Sequence, residues 1–453
     1  MKRLIAGCGL RIAALRRYRL LAIGCWLLVF GAGGICSAEE RFPPPDFTTS
    51  GYQMPSPTTP PARAMGYEVL DCAALALALS AATWLVFRKR SRRGVFWLML
   101  CSVAYFGFWR KGCVCPIGAI QNVAQALADS SFVLPTAVAL FFFLPLVLAL
   151  FFGRTYCAAV CPHGALQDAV LAKPLAVPAW LNHALGLLAF LYLGLAVIFA
   201  ATGSAYIICE YDPFVALFRR DGSAYMLVLS GLFVLLSVFV GRPYCRFFCP
   251  YGALLRLLSQ LSKWRVKIYP DRCIDCHLCD NSCPFGAIHK TTPPLPPAPG
   301  TVRVEGKARL AALLALLPVL VAGAGWFGLR LAAPLSHMHS TVRLADRVWL
   351  EESGTVDDVT DQSKAFRRTG ATPEELYAEA GAVYQRFKTA GWWFGAWAGL
   401  VIGVKLIALS VRRRYTEYEA DRAWCVACAR CFDYCPGEKG ALGPQSGAQA
   451  APQ

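Results

Sequence analysis

Two runs of cysteines, set far apart in the chain, constrain its folding more than any other feature. Cys273, Cys276, Cys279, Cys283 and Pro284 follow the spacing C-x2-C-x2-C-x3-C-P, and Cys425, Cys428, Cys431, Cys435 and Pro436 repeat it. Three closely spaced thiolates wrap an iron–sulfur cube on a tight loop. The fourth stands too far along to reach the same cube easily, and in two-cluster ferredoxins it ligates the other cluster. A structural zinc ion needs only four ligands and requires neither the proline nor the fixed 2-2-3 spacing. The spacing therefore predicts two [4Fe-4S] clusters. Cys435 is expected to join Cys273, Cys276 and Cys279, and Cys283 to join Cys425, Cys428 and Cys431. Such crossing requires the two runs to meet.

The sequence around and between the runs is apolar. Of 453 residues, AVILMFWYC make up 56% and DEKR 16%, which excludes a disordered chain or an ordinary soluble one. A bilayer is crossed by about 20 apolar residues. Segments near that length occupy 67–87, 94–109, 132–152, 180–201, 224–240, 308–331 and 392–410, the second being short. Ahead of them a basic N-terminus leads into an apolar stretch that reads as a secretory signal cleaved after Ala38, or as an uncleaved anchor. The expected fold is an all-α polytopic membrane bundle of about seven transmembrane helices, with a bacterial-type two-cluster ferredoxin module assembled from the two separated runs.

The boundaries follow. Residues 1–38 read as signal or anchor, 39–66 as an exported linker rich in Pro, Thr and Ser, and 67–260 as the membrane core. Residues 261–307 form the first ferredoxin segment, 308–333 a transmembrane helix, 334–390 an exported loop, 391–411 a second helix, and 412–453 the second ferredoxin segment and tail. The net charge of +17 does not point to nucleic acid, because Lys and Arg gather at the ends of apolar segments, where they set topology. Arg88, Lys89, Arg90, Arg92 and Arg93, and again Arg412, Arg413 and Arg414, mark the inner face, and both ferredoxin runs fall on that side. The 20 cysteines do not describe a disulfide scaffold, which would be small, secreted and rich in loops.

A second cysteine pattern is duplicated. Arg154-Thr155-Tyr156-Cys157 through Cys161-Pro162-His163-Gly164-Ala165-Leu166 is echoed by Arg242-Pro243-Tyr244-Cys245 through Cys249-Pro250-Tyr251-Gly252-Ala253-Leu254. Duplicated membrane halves often bracket a site at their interface. On a helix, residues i and i+4 are neighbours, so each C-x3-C-P pair is expected to share a face. Three readings stand open for Cys157, Cys161, Cys245 and Cys249: redox-active dithiols, a further metal or cluster site, or small packing residues. A weaker echo, Cys113-Val114-Cys115-Pro116 against Cys209-Glu210-Tyr211-Asp212-Pro213, makes Cys113, Cys115 and Cys209 the expected outer counterpart of the same possible redox site.

Other motifs carry less. Cys273-Ile274-Asp275-Cys276-His277 matches a haem-attachment pattern, but haem would consume two cluster ligands. His337 and His339 are read as solvated or packed. Thr369-Gly370-Ala371-Thr372 runs into Pro373-Glu374-Glu375, which is helix-capping chemistry more than a flavin acceptor. Neither flavin nor haem is expected.

The order of these motifs resembles the NosR/NapH-type membrane polyferredoxins. It runs Cys115-Pro116-x-Gly118-Ala119, then Gly153-Arg154-x-Tyr156-Cys157-x3-Cys161-Pro162-x-Gly164-Ala165-Leu166, then Tyr211-Asp212-Pro213-Phe214, the second C-x3-C-P and a ferredoxin run. The resemblance covers 112–288 well and the tail through its ferredoxin motif. It implies an electron-transfer component of a respiratory chain in a bacterial inner membrane, rather than a stand-alone enzyme. Electrons would pass between a quinol or cytoplasmic donor and a periplasmic reductase or flavoprotein. The alternative is an accessory factor for maturation of a periplasmic metalloenzyme, with the membrane thiols relaying reducing equivalents. Relatives of the NosR kind carry an exported flavin domain, for which the N-terminal segment here is too short. Those of the NapH kind do not place a membrane hairpin between the ferredoxin runs.

Overall fold

The structure is a computed structural model and describes residues 64–112, 115–172, 174–268, 273–291, 302–356, 358–411, 415 and 417–436. The expected signal or anchor, most of the exported linker, Cys113 and Arg412 to Arg414 lie outside the described residues. The chain divides into residues 1–73, described only where a helix begins, and residues 74–453.

The protein is almost entirely helical. Helix α1 (Met65–Phe87) leads to α2 (Arg92–Ser102), whose first turn is capped by the Ser91 side chain accepting from the Gly94 N–H. A π-helical stretch, Val103–Trp109, continues α2 and then breaks off. Next come α3 (Pro116–Ala128), α4 (Thr136–Phe152), a π-helical turn at Tyr156–Val160 and α5 (Pro162–Val170). Helices α6 (Ala179–Leu185), α7 (Leu188–Ala201), α8 (Ile207–Tyr211), α9 (Pro213–Arg219), α10 (Ala224–Ser237), α11 (Pro243–Phe247) and α12 (Pro250–Ser259) complete the core. Among the described residues, four helices or helix pairs are long and apolar enough to cross a membrane: Met65–Phe87, Ala179–Ala201, Ala308–Ser336 and Pro373–Ser410. Thr136–Phe152 and Ala224–Ser237 are apolar but shorter. The expected segment 94–109 is helical throughout, α2 passing directly into the π-helical stretch that ends at Trp109.

Helices α3, α5, α9 and α12 share one way of starting. Each has proline at its first position and Cys115, Cys161, Asp212 or Cys249 as its N-cap, with extended backbone. A residue before proline is driven to that conformation, and proline at N1 forfeits no helical hydrogen bond. The repeat seen in the sequence is thus a device for beginning a helix on a cysteine or its aspartate equivalent.

The ferredoxin segments add α13 (Leu278–Asn281) and β1 (Ile288–His289) on one side, β2 (Glu419–Ala420) and α18 (Arg430–Tyr434) on the other. Between them run α14 (Val302–Ser336), α15 (Ser340–Glu352), α16 (Asp361–Arg368) and α17 (Pro373–Ser410). Thr372 and Glu375 form a capping box at the start of α17, which is the capping chemistry read in the sequence. His337 pairs with Asp346 at 2.7 Å, and His339 caps α15 by accepting from the Thr341 N–H.

Helices α14 and α17 meet backbone to backbone. Gly391, Gly395, Gly399 and Gly403 recur every fourth residue on α17 and are buried. A Cβ on Gly395 would lie 1.9 Å from the Ala324 carbonyl oxygen, and one on Gly399 2.5 Å from that of Leu320. Small residues at this spacing let apolar helices approach where there is no hydrophobic drive between them. Gly395→Leu is expected to force the pair apart, at about 1–3 kcal/mol or more given rigid backbone on both sides. A lowered unfolding midpoint in detergent, with faster loss of bound iron, checks it; an unchanged midpoint contradicts the contact.

Candidate functional site

The two cysteine runs come together although α14 and α17 separate them in sequence. Strands β1 and β2 pair antiparallel, Ile288 opposite Ala420 and His289 opposite Glu419. One side chain organises the join. Asp421 takes the His289 ring at 3.0 Å and the N–H groups of Ala423 and Trp424 at 2.7 and 2.8 Å. Burial opposes its ionisation, yet these bonds hold its carboxyl below the usual range. The Cys425 N–H then donates to the Asp421 carbonyl at 2.9 Å, so the start of the second run is pinned to the end of the first.

Both loops twist alike. Asp275 and His277 flank Cys276 with φ of 53° and 55°, and Ala427 and Ala429 flank Cys428 with φ of 53° and 60°. Left-handed residues at these places turn successive N–H groups into one concavity, which suits an anionic group. Cys273, Cys276 and Cys279 line a single cavity together with Cys435 and Cys431 of the other run. Cys283 lies within electrostatic reach of Cys425, Cys428 and Cys431. The last cysteine of each run therefore sits among cysteines of the other.

The surroundings of the two groups differ. Cys273 and Cys276 are exposed, whereas Cys425, Cys428 and Cys431 are half-buried. Burial pushes the Cys279 thiol up to about 11 and Cys425 up to about 12, with Cys283 and Cys431 also raised. Such thiols give up their protons only to a bound metal. Among the described residues no three His, Cys, Asp or Glu side chains are close enough to share one metal ion. A cube binds each thiolate at its own iron, so its ligands need not converge on one point.

Arginines of the core reach into this module. Arg92 donates to the Cys428 carbonyl at 3.1 Å, Arg154 to that of Ala423 at 3.2 Å, and Arg246 to those of Pro284 and Phe285 at 3.2 and 3.1 Å. Lys and Arg at the ends of apolar segments read in the sequence as setting topology, and Arg154, Arg242 and Arg246 stand at such ends. In the structure they are buried, and Arg154 also lies 3.8 Å from Cys157 Sγ. Arg92, Arg242 and Arg430 converge on Asp168 at 2.5, 3.4 and 2.9 Å. Burial alone would raise the Asp168 pKa; the three guanidiniums, Arg430 foremost, hold it well below the carboxylate range. Sequence reasoning missed Asp168, and its only signal was an acid placed just after the repeat motif.

The C-x3-C-P cysteines are brought together as well. Cys161 and Cys245, one from each repeat, lie within electrostatic reach of each other. Gln167 donates to Cys245 Sγ at 3.2 Å, and Gly252 N–H to Cys249 Sγ at 3.3 Å. Cys115 does not stand at the opposite end of the core, as the segment count implies. It is within electrostatic reach of Cys161, Cys249 and Asp212. Cys209 lies against the first turn of α3, its Sγ 3.3 Å from where a Cβ of Gly118 would stand. His163 and Asp212, noted in the sequence only as motif letters, face each other at 3.5 Å.

Known proteins agree with this chemistry. Two family models, each described as a 4Fe-4S binding domain, match the chain, one over residues 134–187 and 223–269, the other over residues 266–289. The putative electron transport protein YccM of Escherichia coli is 26% identical over 187 residues, 37% of this chain and 52% of YccM. Protein NirI of Paracoccus denitrificans is 33% identical over 146 residues, 29% of this chain and 21% of NirI. The regulatory protein NosR of Stutzerimonas stutzeri is 26% identical over 220 residues, 45% of this chain and 30% of NosR. The chain thus matches about half or less of the length of these relatives. No solved structure matches it. A helical membrane protein that binds 4Fe-4S clusters and serves electron transfer is what these matches and the apolar helices support in common.

Proposed function

We propose that the chain is a NosR/NapH-type 4Fe-4S membrane ferredoxin, as its 4Fe-4S binding domains and its similarity to NosR support, and that it moves single electrons between a quinol or cytoplasmic donor and a periplasmic acceptor, a reductase or flavoprotein. Two clusters carry them. Cys273, Cys276, Cys279 and Cys435 hold one, and Cys425, Cys428, Cys431 and Cys283 hold the other. The observation behind this assignment is the position of Cys435 in the cavity of Cys273, Cys276 and Cys279. Each cluster supplies reversible one-electron chemistry. The chain's own part is to hold the thiolates, aim N–H groups through the left-handed loops and exclude water from the half-buried group.

In this reading the ferredoxin module lies on the cytoplasmic side of a bacterial inner membrane, beside Arg88, Lys89, Arg90, Arg92 and Arg93. The seven-segment core, the exported segment 334–390 and the signal or anchor at 1–38 complete the arrangement. Cys157, Cys161, Cys245, Cys249, Cys115, Cys209 and Cys113 supply a further redox site, Cys113 lying outside the described residues. The nearness of Cys161 and Cys245 also favours the second reading, a thiol relay serving maturation of a periplasmic metalloenzyme.

Anaerobic addition of a short-chain quinol to the purified protein tests the proposal by low-temperature EPR. Reduced-cluster signals that grow with quinol support it. Clusters that respond to dithionite but not to quinol remove quinol as the donor, and a preparation holding zinc in place of iron overturns the reading altogether.

A further inference from the structure

We propose that Arg154, Arg246 and Arg256 are the fixed counter-charge of the cluster at Cys283, Cys425, Cys428 and Cys431, and that they set its potential above that of the cluster at Cys273, Cys276, Cys279 and Cys435. Electrons then enter the module at the exposed group, from a soluble one-electron carrier, and move inward. The inference rests on the two clusters proposed above and gives them an order.

The observation that carries it is buried positive charge with no acid against it. Arg154, Arg246 and Arg256 are 3%, 6% and 5% exposed. Arg154 donates to the Ala423 carbonyl at 3.2 Å and lies 3.8 Å from Cys157 Sγ. Arg246 donates to Asn182 Oδ1 at 2.9 Å and to the carbonyls of Pro284 and Phe285 at 3.2 and 3.1 Å. Arg256 donates to the Arg246 carbonyl at 2.8 Å and to that of Gly186 at 3.4 Å, with its guanidinium 4.2 Å from the centre of the Trp424 ring. The nearby acids are taken by others, Asp168 by Arg92, Arg242 and Arg430, and Asp421 by His289 at 3.0 Å. None of the three arginines has a carboxylate partner among the described residues.

A cation taken out of water is costly until an anion faces it. The contacts say where that anion lies: Pro284 and Phe285 directly follow Cys283, and Ala423 and Trp424 directly precede Cys425. A cube held by four thiolates is anionic, and more so when reduced.

The other group is set among acids. Asp275 and Tyr418 line the cavity of Cys273, Cys276 and Cys279, and the Tyr418 hydroxyl donates to Asp275 Oδ1. Asp280 follows Cys279, with Lys290 at 2.7 Å and the His277 ring at 3.8 Å. These two acids stand against Lys290 and against Arg90, which lies behind the Phe432 ring at 4.9 Å.

Reduction adds one negative charge, so cations around a cluster raise its potential and acids lower it. The loop N–H groups cancel from the comparison, because φ is 53° and 55° around Cys276 and 53° and 60° around Cys428. Burial works the other way, since water also stabilises the added charge. It is outweighed because the low dielectric that removes the water magnifies each of the three unmatched guanidiniums. One electron thus passes downhill from the exposed group to the buried one, its donor is left oxidised by one electron, and no bond forms or breaks. Cys273 and Cys276 are exposed, so a carrier in the aqueous phase reaches them directly.

Redox titration of anaerobically purified full-length protein, followed by EPR, decides the matter, with Cys276→Ala and Cys428→Ala assigning the two signals. In the wild type the signal lost in Cys428→Ala should have the higher potential. Arg154→Gln and Arg246→Gln should each shift its equilibrium about tenfold against reduction, about 59 mV for one electron, with the other signal unmoved. Arg154→Lys and Arg246→Lys, which keep the charge, should restore most of it, and Asp280→Asn should raise the other potential instead. Equal potentials or the reverse order in the wild type refute the inference and leave the proposed function standing, as do glutamine variants that keep both signals unshifted. If a glutamine variant fails to assemble, the wild-type order still decides. A wild type with fewer than two clusters fells the proposed function as well.

Discussion

Cys435→Ala removes the cluster of the distant run, the one held by Cys273, Cys276 and Cys279, and leaves the cluster nearest to it in sequence intact. The expectation comes from position: Cys435 lines the cavity of the first run's cysteines, and Cys283 lies with Cys425, Cys428 and Cys431. The loss is about four irons and one of the two ferredoxin signals. Double variants make the assignment sharp, because residues serving one centre are not additive. Cys273→Ala added to Cys435→Ala should cost no further iron. Cys425→Ala added to Cys435→Ala should empty both ferredoxin sites. The reverse pattern would mean that each run closes its own cube, and the crossing would be wrong while the clusters remained.

The second large effect belongs to Asp168. Its carboxylate is fully buried and neutralises a knot of three buried or nearly buried guanidiniums, Arg92, Arg242 and Arg430. Removing one partner of a buried ion pair costs about 3–5 kcal/mol, because the remaining charge is stranded away from water. Here three would be stranded. Asp168→Ala should lower the unfolding midpoint sharply, and Asp168→Asn nearly as much, since it keeps the shape and loses the charge. The damage should reach the ferredoxin module, because Arg92 also holds the Cys428 carbonyl and Arg430 opens α18. A midpoint unchanged in both variants would show the knot to be dispensable.

The cluster-binding runs could be read from the sequence because their chemistry is local: three thiolates on one loop demand fixed spacing, and spacing survives in one dimension. The capping box at Thr372 was readable for the same reason. The meeting of Cys115 with Cys161 was not. Segment 94–109 reads as one apolar run, and nothing in its composition says which buried thiols the chain after it will meet. The arginines misled in another way, since a basic residue at the end of an apolar segment marks a membrane boundary whether its charge meets water or a buried carbonyl. Arg242, 1% exposed, belongs to the second kind. Asp168 and the pairing of His163 with Asp212 are long-range matters of partnership, which no single motif encodes.

The glycine-lined embrace of α14 and α17 bears on when, and not only how, the protein acquires its iron. A ribosome that has finished the first run must still make both of these helices, and the segment between them, before the second run exists at all. On the proposed ligation each cube draws a ligand from either run, and a chain stalled or cut short between them owns no complete cage. On that ligation iron delivery waits on the completion of synthesis and on the zipping of two helices, and abandoned fragments are not furnished with redox centres that would leak electrons to oxygen.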